Sequence, residues 1–170
     1  MKRIVKNNLC INEFMRENRN DIVILGYGGI YSYNNNGYYC FGLVHNMHMK
    51  ILKGDIYEIK GSANRAILNG LYAAVDIIRK PHKVHALIGT ELGFSKAFEK
   101  DSGPNKDICK EIVAKTETIS QYDINIYFAK GSVKDIRAFL DKPEKDYRVV
   151  ETVYKNLNAF KREEERNFFS

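Results

Sequence analysis

The chain has 170 residues, 44% hydrophobic and 28% charged, with a net charge of +6 at neutral pH, which fits one globular domain with or without extensions and excludes disorder over most of its length. Cys10, Cys40 and Cys109 are scattered, odd in number and without a CxxC pair, which excludes a disulfide framework. No apolar run approaches the roughly 20 residues of a membrane helix, and no apolar stretch follows Lys2 and Arg3 to make a signal peptide, so a cytoplasmic protein with no membrane partner is expected.

Residues 8–20 are predicted as a short helix through Ile11, Phe14 and Met15. Ile22-Val23-Ile24-Leu25 is a continuous apolar run, as in a strand buried on both faces. The turn Asn34-Asn35-Asn36-Gly37 leads to a second strand from Tyr38 to Val44, and a turn at His45 to Met47 leads to a third from Met49 to Ile59. These two connections are too short for a crossover helix, so the three strands form an antiparallel meander.

The clearest helix covers residues 62–79, with Ile67, Leu71, Ala74 and Ile78 on one stripe and Pro81 beyond its end. A strand follows at 83–90, then helices at 93–100 and 107–119, a strand from Tyr122 to Ala129 and a helix from Val133 to Leu140. Residues 145–168 are predicted as a long terminal helix whose apolar stripe is Val149, Val153, Leu157 and Phe160. The order specifies an α/β domain: a mixed five-stranded sheet, three antiparallel strands then two parallel, with helices on both faces and helical extensions at both termini.

Three segments carry a resemblance to the ribonuclease H family over about residues 21–141. Ile22 to Gly29 with the Asn-rich turn is similar to the family's apolar strand, Asp-Gly-Ser and Gly- and Asn-rich turn. Gly61-Ser62-Ala63-Asn64-Arg65, followed by an Ala- and Leu-rich helix, resembles its Thr-Asn-Asn-Arg pattern, and Leu87-Ile88-Gly89-Thr90-Glu91 resembles its strand ending Thr-Asp-Ser. Lys130-Gly131-Ser132 is similar to its Lys-Gly-His. The resemblance implies an extension at 1–20, a ribonuclease H-like domain at 21–142 and a C-terminal helix at 143–170.

The family cuts RNA with two divalent ions roughly 4 Å apart, held by four carboxylates. On this sequence the strand-one carboxylate falls on Tyr27 and the helix carboxylate on Ile67; the strand-four position falls on Glu91, or on Thr90 if the register slips by one, and the last has only Asp141 near it. Loss of two-metal cleavage is expected, with Glu91 and Asp141 the weak metal candidates. No cofactor is expected, with Mg or Mn only if activity persists. Relocated carboxylates, drawn from Asp55, Glu58, Asp101 or Asp107 around Glu91, are the atypical-nuclease alternative, set back by the placement of strand three at the sheet edge. His45 with His48, and His82 with His85, are three residues apart, but nothing in the sequence brings the two pairs together for zinc, so they are read as turn or surface residues.

Without metals the resemblance implies nucleic-acid binding, to an RNA–DNA hybrid or double-stranded RNA, by shape and phosphate contacts. Gly28, Gly29, Asn64, Arg65 and Asn69 match or neighbour the family's contact positions, and Lys96 and Lys100 lie where a phosphate backbone passes. The competing expectation is a protein-interaction or homodimerisation module using the terminal helices.

Overall fold

In a computed structural model of the chain, the described residues are 2–56, 63–90, 98, 103, 105–119, 123–144 and 146–154. They form strand β1 (Lys2–Lys6), helix α1 (Ile11–Glu17), strands β2 (Ile22–Ile30), β3 (Gly37–His45) and β4 (His48–Ile56), helix α2 (Ala63–Asp76), strand β5 (Lys83–Ile88), helix α3 (Lys106–Ala114), strand β6 (Asp123–Ala129), helix α4 (Val133–Asp141) and strand β7 (Arg148–Tyr154).

All seven strands join one sheet in the order β1-β6-β5-β2-β3-β4-β7. The expected five-stranded core is present: β2, β3 and β4 are the antiparallel meander, and β5 and β6 continue it in parallel beside β2. The turns explain the meander. Asn35 takes the left-handed conformation (φ 57°) between β2 and β3, and Asn46 and Met47 (φ 49° and 63°) make the two-residue turn between β3 and β4. Positive φ at both central residues gives the twist that lets antiparallel strands close directly, which places His45 opposite His48.

Both termini depart from expectation. Lys2–Lys6 is a strand parallel to β6 that precedes the short helix. The segment Arg148–Tyr154 is a strand parallel to β4, where a terminal helix was expected; the rest of that expected helix, 155–168, lies outside the described residues, as does most of the expected helix at 93–100. The third strand of the meander is therefore an interior strand, covered by β7. Ser132 ties down the N-terminal segment: its Oγ accepts from Leu9 N at 2.6 Å and donates to Leu9 O at 2.9 Å, so the Lys-Gly-Ser segment serves packing in this fold.

The sheet separates two cores. On one face α2 and α3 pack Leu68, Leu71, Val75, Ile108 and Ile112 onto Ile24, Phe41, Leu52 and Phe128. On the other, α1 and α4 pack Phe14, Ile136 and Leu140 onto Val23, Leu25, Val44 and Met49. Gly26 on β2 and Gly70 on α2 both abut the Phe41 ring, and a side chain at either would overlap it, so these glycines let α2 lie close on the sheet.

Candidate functional site

The carboxyl ends of β2 and β5 point the same way, and their next strands in the chain, β3 and β6, lie on opposite sides of the pair. In open α/β sheets such a divergence opens the crevice where ligands bind. Here the described residues are closely packed. Gly89 N donates to Gly26 O at 3.0 Å, continuing the ladder past the last paired residues. A Cβ on Gly28 would lie 2.7 Å from the Tyr38 carbonyl oxygen and 3.1 Å from Ile67 Cγ1, and Ile67 is buried. At this level the strand presents no side chain towards α2, and α2 presents a branched alkyl group towards the strand.

Tyr27 is not across from Ile67. Side chains alternate along a strand, so a shift of one residue moves a group to the other face of the sheet. Tyr27 shares the α1/α4 core with Leu25 and Cys40, whereas Ile67 belongs to the α2 core. Gly28, not Tyr27, is the strand residue that faces Ile67.

Divalent ions need several oxygen ligands. Gly28 and Ile67 supply none, and among the described residues no three His, Cys, Asp or Glu side chains converge. The residues described at this end do not fit the two ions. Glu91, together with Glu58 and Asp101, lies outside the described residues. Of the relocation candidates that are described, Asp107 is engaged by Arg65. Asp55 and Asp141 line a separate cavity of about 290 Å³ on the α4 side, with Tyr27, Cys40 and Lys53. The Arg137 guanidinium stacks over the Tyr27 ring at 4.8 Å. Burial, with smaller contributions from Cys40 and Asp141, holds the Tyr27 phenol well above its usual range against the pull of Arg137. Burial likewise raises the Cys40 thiol, opposed by Lys53. Both groups are neutral near pH 7, and neither is an activated nucleophile or a ready metal ligand.

The residues expected to touch nucleic acid divide. Gly28 and Gly29 lie inside the β2–β3 ladder, paired with Tyr39 and Tyr38. Arg65 is only 5% exposed, and its guanidinium holds both Asp107 carboxylate oxygens at 2.6 and 3.0 Å, clasping α2 to α3. Asn69 is fully buried, and its Nδ2 donates to Arg65 O at 3.0 Å. These two side chains are withdrawn into the fold. Both face inward because α2 is covered by the sheet on one side and by α3 on another. Asn64 is half-buried in the first turn of α2, and Lys96 and Lys100 lie outside the described residues.

The opposite end of the sheet holds what the sequence did not disclose. A cavity of about 500 Å³ brings together His45 and His48 from the β3–β4 turn, His82 from before β5, Lys50, Arg79, Lys80 and Arg148. The His45 and His82 rings meet edge to face at 5.5 Å. The histidine pairs are therefore brought together in part, contrary to expectation. His85 is elsewhere, its Nε2 2.9 Å from Asp21 Oδ2. The signal available in sequence was the two-residue turn that pairs His45 with His48; the contribution of Arg148 needed the unforeseen strand β7.

No family model matches the sequence, and no curated protein matches it. Among solved structures, the chain is similar to LC11-RNase H1 in complex with RNA/DNA hybrid, with 12% identity, 71% of this chain and 94% of that one covered, and a TM-score of 0.51. The fold is ribonuclease H-like. Further matches are the N-terminal RNase H domain of Rv2228c from Mycobacterium tuberculosis (18% identity, 64% and 85% covered, TM-score 0.47) and RNase H1 from Halobacterium salinarum (13%, 70% and 92%, 0.43). On this ribonuclease H-like frame, no helix of the described residues is long and apolar enough to cross a membrane.

Proposed function

We propose that this chain is a ribonuclease H-like domain that binds an RNA–DNA hybrid or double-stranded RNA through shape and phosphate contacts and does not cleave it by the two-metal route. The observation that supports this reading is the close approach of Gly28 to Ile67, two residues whose side chains carry no oxygen donor where a strand and a helix would jointly hold a metal ion. The reading needs no cofactor, with Mg or Mn only if cleavage persists. Binding is supported by the net charge of +6, by the fold, and by the hybrid bound to one similar structure. The proposed contacts are Asn64, Lys96, Lys100 and the backbone at Gly28 and Gly29. Arg65 and Asn69 act from behind by fixing α2.

The test is fluorescence anisotropy with labelled hybrid, duplex RNA and duplex DNA at about 50 and 200 mM salt, a range over which several phosphate contacts lose orders of magnitude in affinity. Binding to hybrid and duplex RNA that falls steeply with salt is expected. A triple Asn64→Ala, Lys96→Ala, Lys100→Ala variant is expected to bind roughly tenfold more weakly or worse. Absence of binding at both salt concentrations would contradict the proposal.

A second reading, a protein-interaction or dimerisation module, has its own observation. Strand β7, at the edge of the sheet among the described residues, exposes Val149, Val150 and Val153, on both faces of the sheet. An exposed apolar edge favours pairing with another chain. A concentration-dependent dimer in light scattering, abolished by Val150→Lys, would favour it.

A further inference from the structure

We propose that the basic cavity beside the β3–β4 turn is a separate binding site for a small organic anion that joins a phosphate group to an aromatic or apolar body, as a nucleoside monophosphate does. Its volume of about 500 Å³ lies within the range of small-molecule sites.

Its charge comes from three distant parts of the chain: Lys50 on β4, Arg79 and Lys80 after α2, and Arg148 on β7. The register sets His45, His48 and Arg148 side by side across β3, β4 and β7, with Leu43, Lys50 and Val150 in the next row of the same face. Lys50 and Arg148 are diagonal neighbours on that face, within reach of each other, and like charges so placed repel. Nothing in the cavity offsets them, because none of its lining residues is Asp or Glu. Among the described residues, the salt bridges engage Lys53, Arg65, His85 and Lys115 and none of the four cations here. The end of α2 gives Arg79 and Lys80 a favourable dipole. It gives no reason for Lys50 and Arg148, which an anion would.

The apolar lining selects the rest of the ligand. Ile22, Leu43, Ile78 and Val150 give the cavity an apolar lining, and the edge-to-face imidazoles of His45 and His82 line it too. Arginine pairs with phosphate in a bidentate fork and also stacks on planar rings. Inorganic phosphate satisfies the cations and leaves the apolar lining in contact with water; an aromatic body covers it. The cavity lies at the start of β2 and β4, at the opposite end of the sheet from Gly28 and Ile67, so it is distinct from the surface proposed for nucleic acid.

Titration calorimetry of the full chain with adenosine monophosphate, inorganic phosphate and adenosine tests this. Adenosine monophosphate is expected to bind one to one, and each of the other two at least tenfold more weakly. Arg148→Ala, and separately the pair Arg79→Ala with Lys80→Ala, are each expected to weaken the nucleotide about tenfold or more, the effect of removing a charge-assisted contact. The second variant lies in a connection after α2 and carries the test if the edge-strand variant does not fold. Hybrid affinity, measured on the same variants, is expected to change no more than a few-fold, so this site and the nucleic-acid surface succeed or fail independently. No nucleotide binding at millimolar concentration, binding that both variants leave unchanged, or parallel loss of nucleotide and hybrid binding would overturn the proposal.

Discussion

The two ends of the sheet are built on opposite terms. At the carboxyl end of β2, polar demand has been removed: Gly28 presents no side chain, Ile67 fills the space, and Arg65 and Asn69 are spent on internal bonds. At the amino end of β2, basic groups from three parts of the chain gather around apolar groups with no carboxylate among them. Among the described residues, one end has lost the side chains that would hold metal ions, and the other gathers positive charge around apolar groups. A ribonuclease H-like frame therefore does not dictate where its chemistry sits; the side chains at each end do.

The sharpest way to break the comparison is to put a carboxylate back. Ile67→Glu would bury a charge against Gly28 and the β2–β3 backbone and is expected to cost about 3–5 kcal/mol in denaturant unfolding, the range for an uncompensated buried ion. A stable Ile67→Glu variant would mean that this end is open to ions. Next in size is Asp107→Ala, which leaves the buried Arg65 guanidinium without its bidentate partner. Asp107 is partly in water, so a cost of about 2 kcal/mol is expected, less than for a fully buried pair. Arg65→Ala should cost less than Asp107→Ala, because the carboxylate left behind can hydrate.

A smaller effect concerns the thiols. Burial, aided by Asp107 and opposed by Arg65, pushes the Cys109 thiol from 9.0 up to about 12. The folded chain then holds a proton that the unfolded chain releases above about pH 9, so stability falls as pH rises from about 9 towards 12. Unfolding midpoints across that range check the sign. At pH 8 a thiol reagent should modify the exposed Cys10 quickly, and the buried Cys40 and Cys109 only after denaturation. The smallest effect is at the basic end. Arg148→Ala should change stability by no more than about 0.5 kcal/mol, since it removes a surface charge surrounded by like charges. A large loss would recast Arg148 as a structural residue.

Most of the core was legible in the sequence because local signals agreed with the global arrangement. The Ile22–Leu25 run, the Asn-rich turn and the stripe on α2 each had one structural solution. The edges were harder. Lys2–Lys6 is short and mostly charged, and the spacing of Val149 and Val153 fits a helix stripe as well as alternate positions of a strand. The β-branched run Val149-Val150-Glu151-Thr152-Val153 favours the strand, and pairing with β4 supplies what a helix would have gained only from packing. The site was legible in composition but not in geometry. That β2 lacks a carboxylate is plain from Ile22 to Ile30. Which face Tyr27 occupies depends on a one-residue register that only the sheet settles. The basic cavity depends on β7, so it could not be read before that strand was known.

Incubation of labelled RNA–DNA hybrid with the full chain in Mg²⁺ or Mn²⁺, followed by a denaturing gel, tests the central claim most directly. The account predicts retained, salt-sensitive binding and intact RNA at every time point. Metal-dependent cleavage would contradict it and assign the ions to carboxylates away from the packed contact of Gly28 with Ile67.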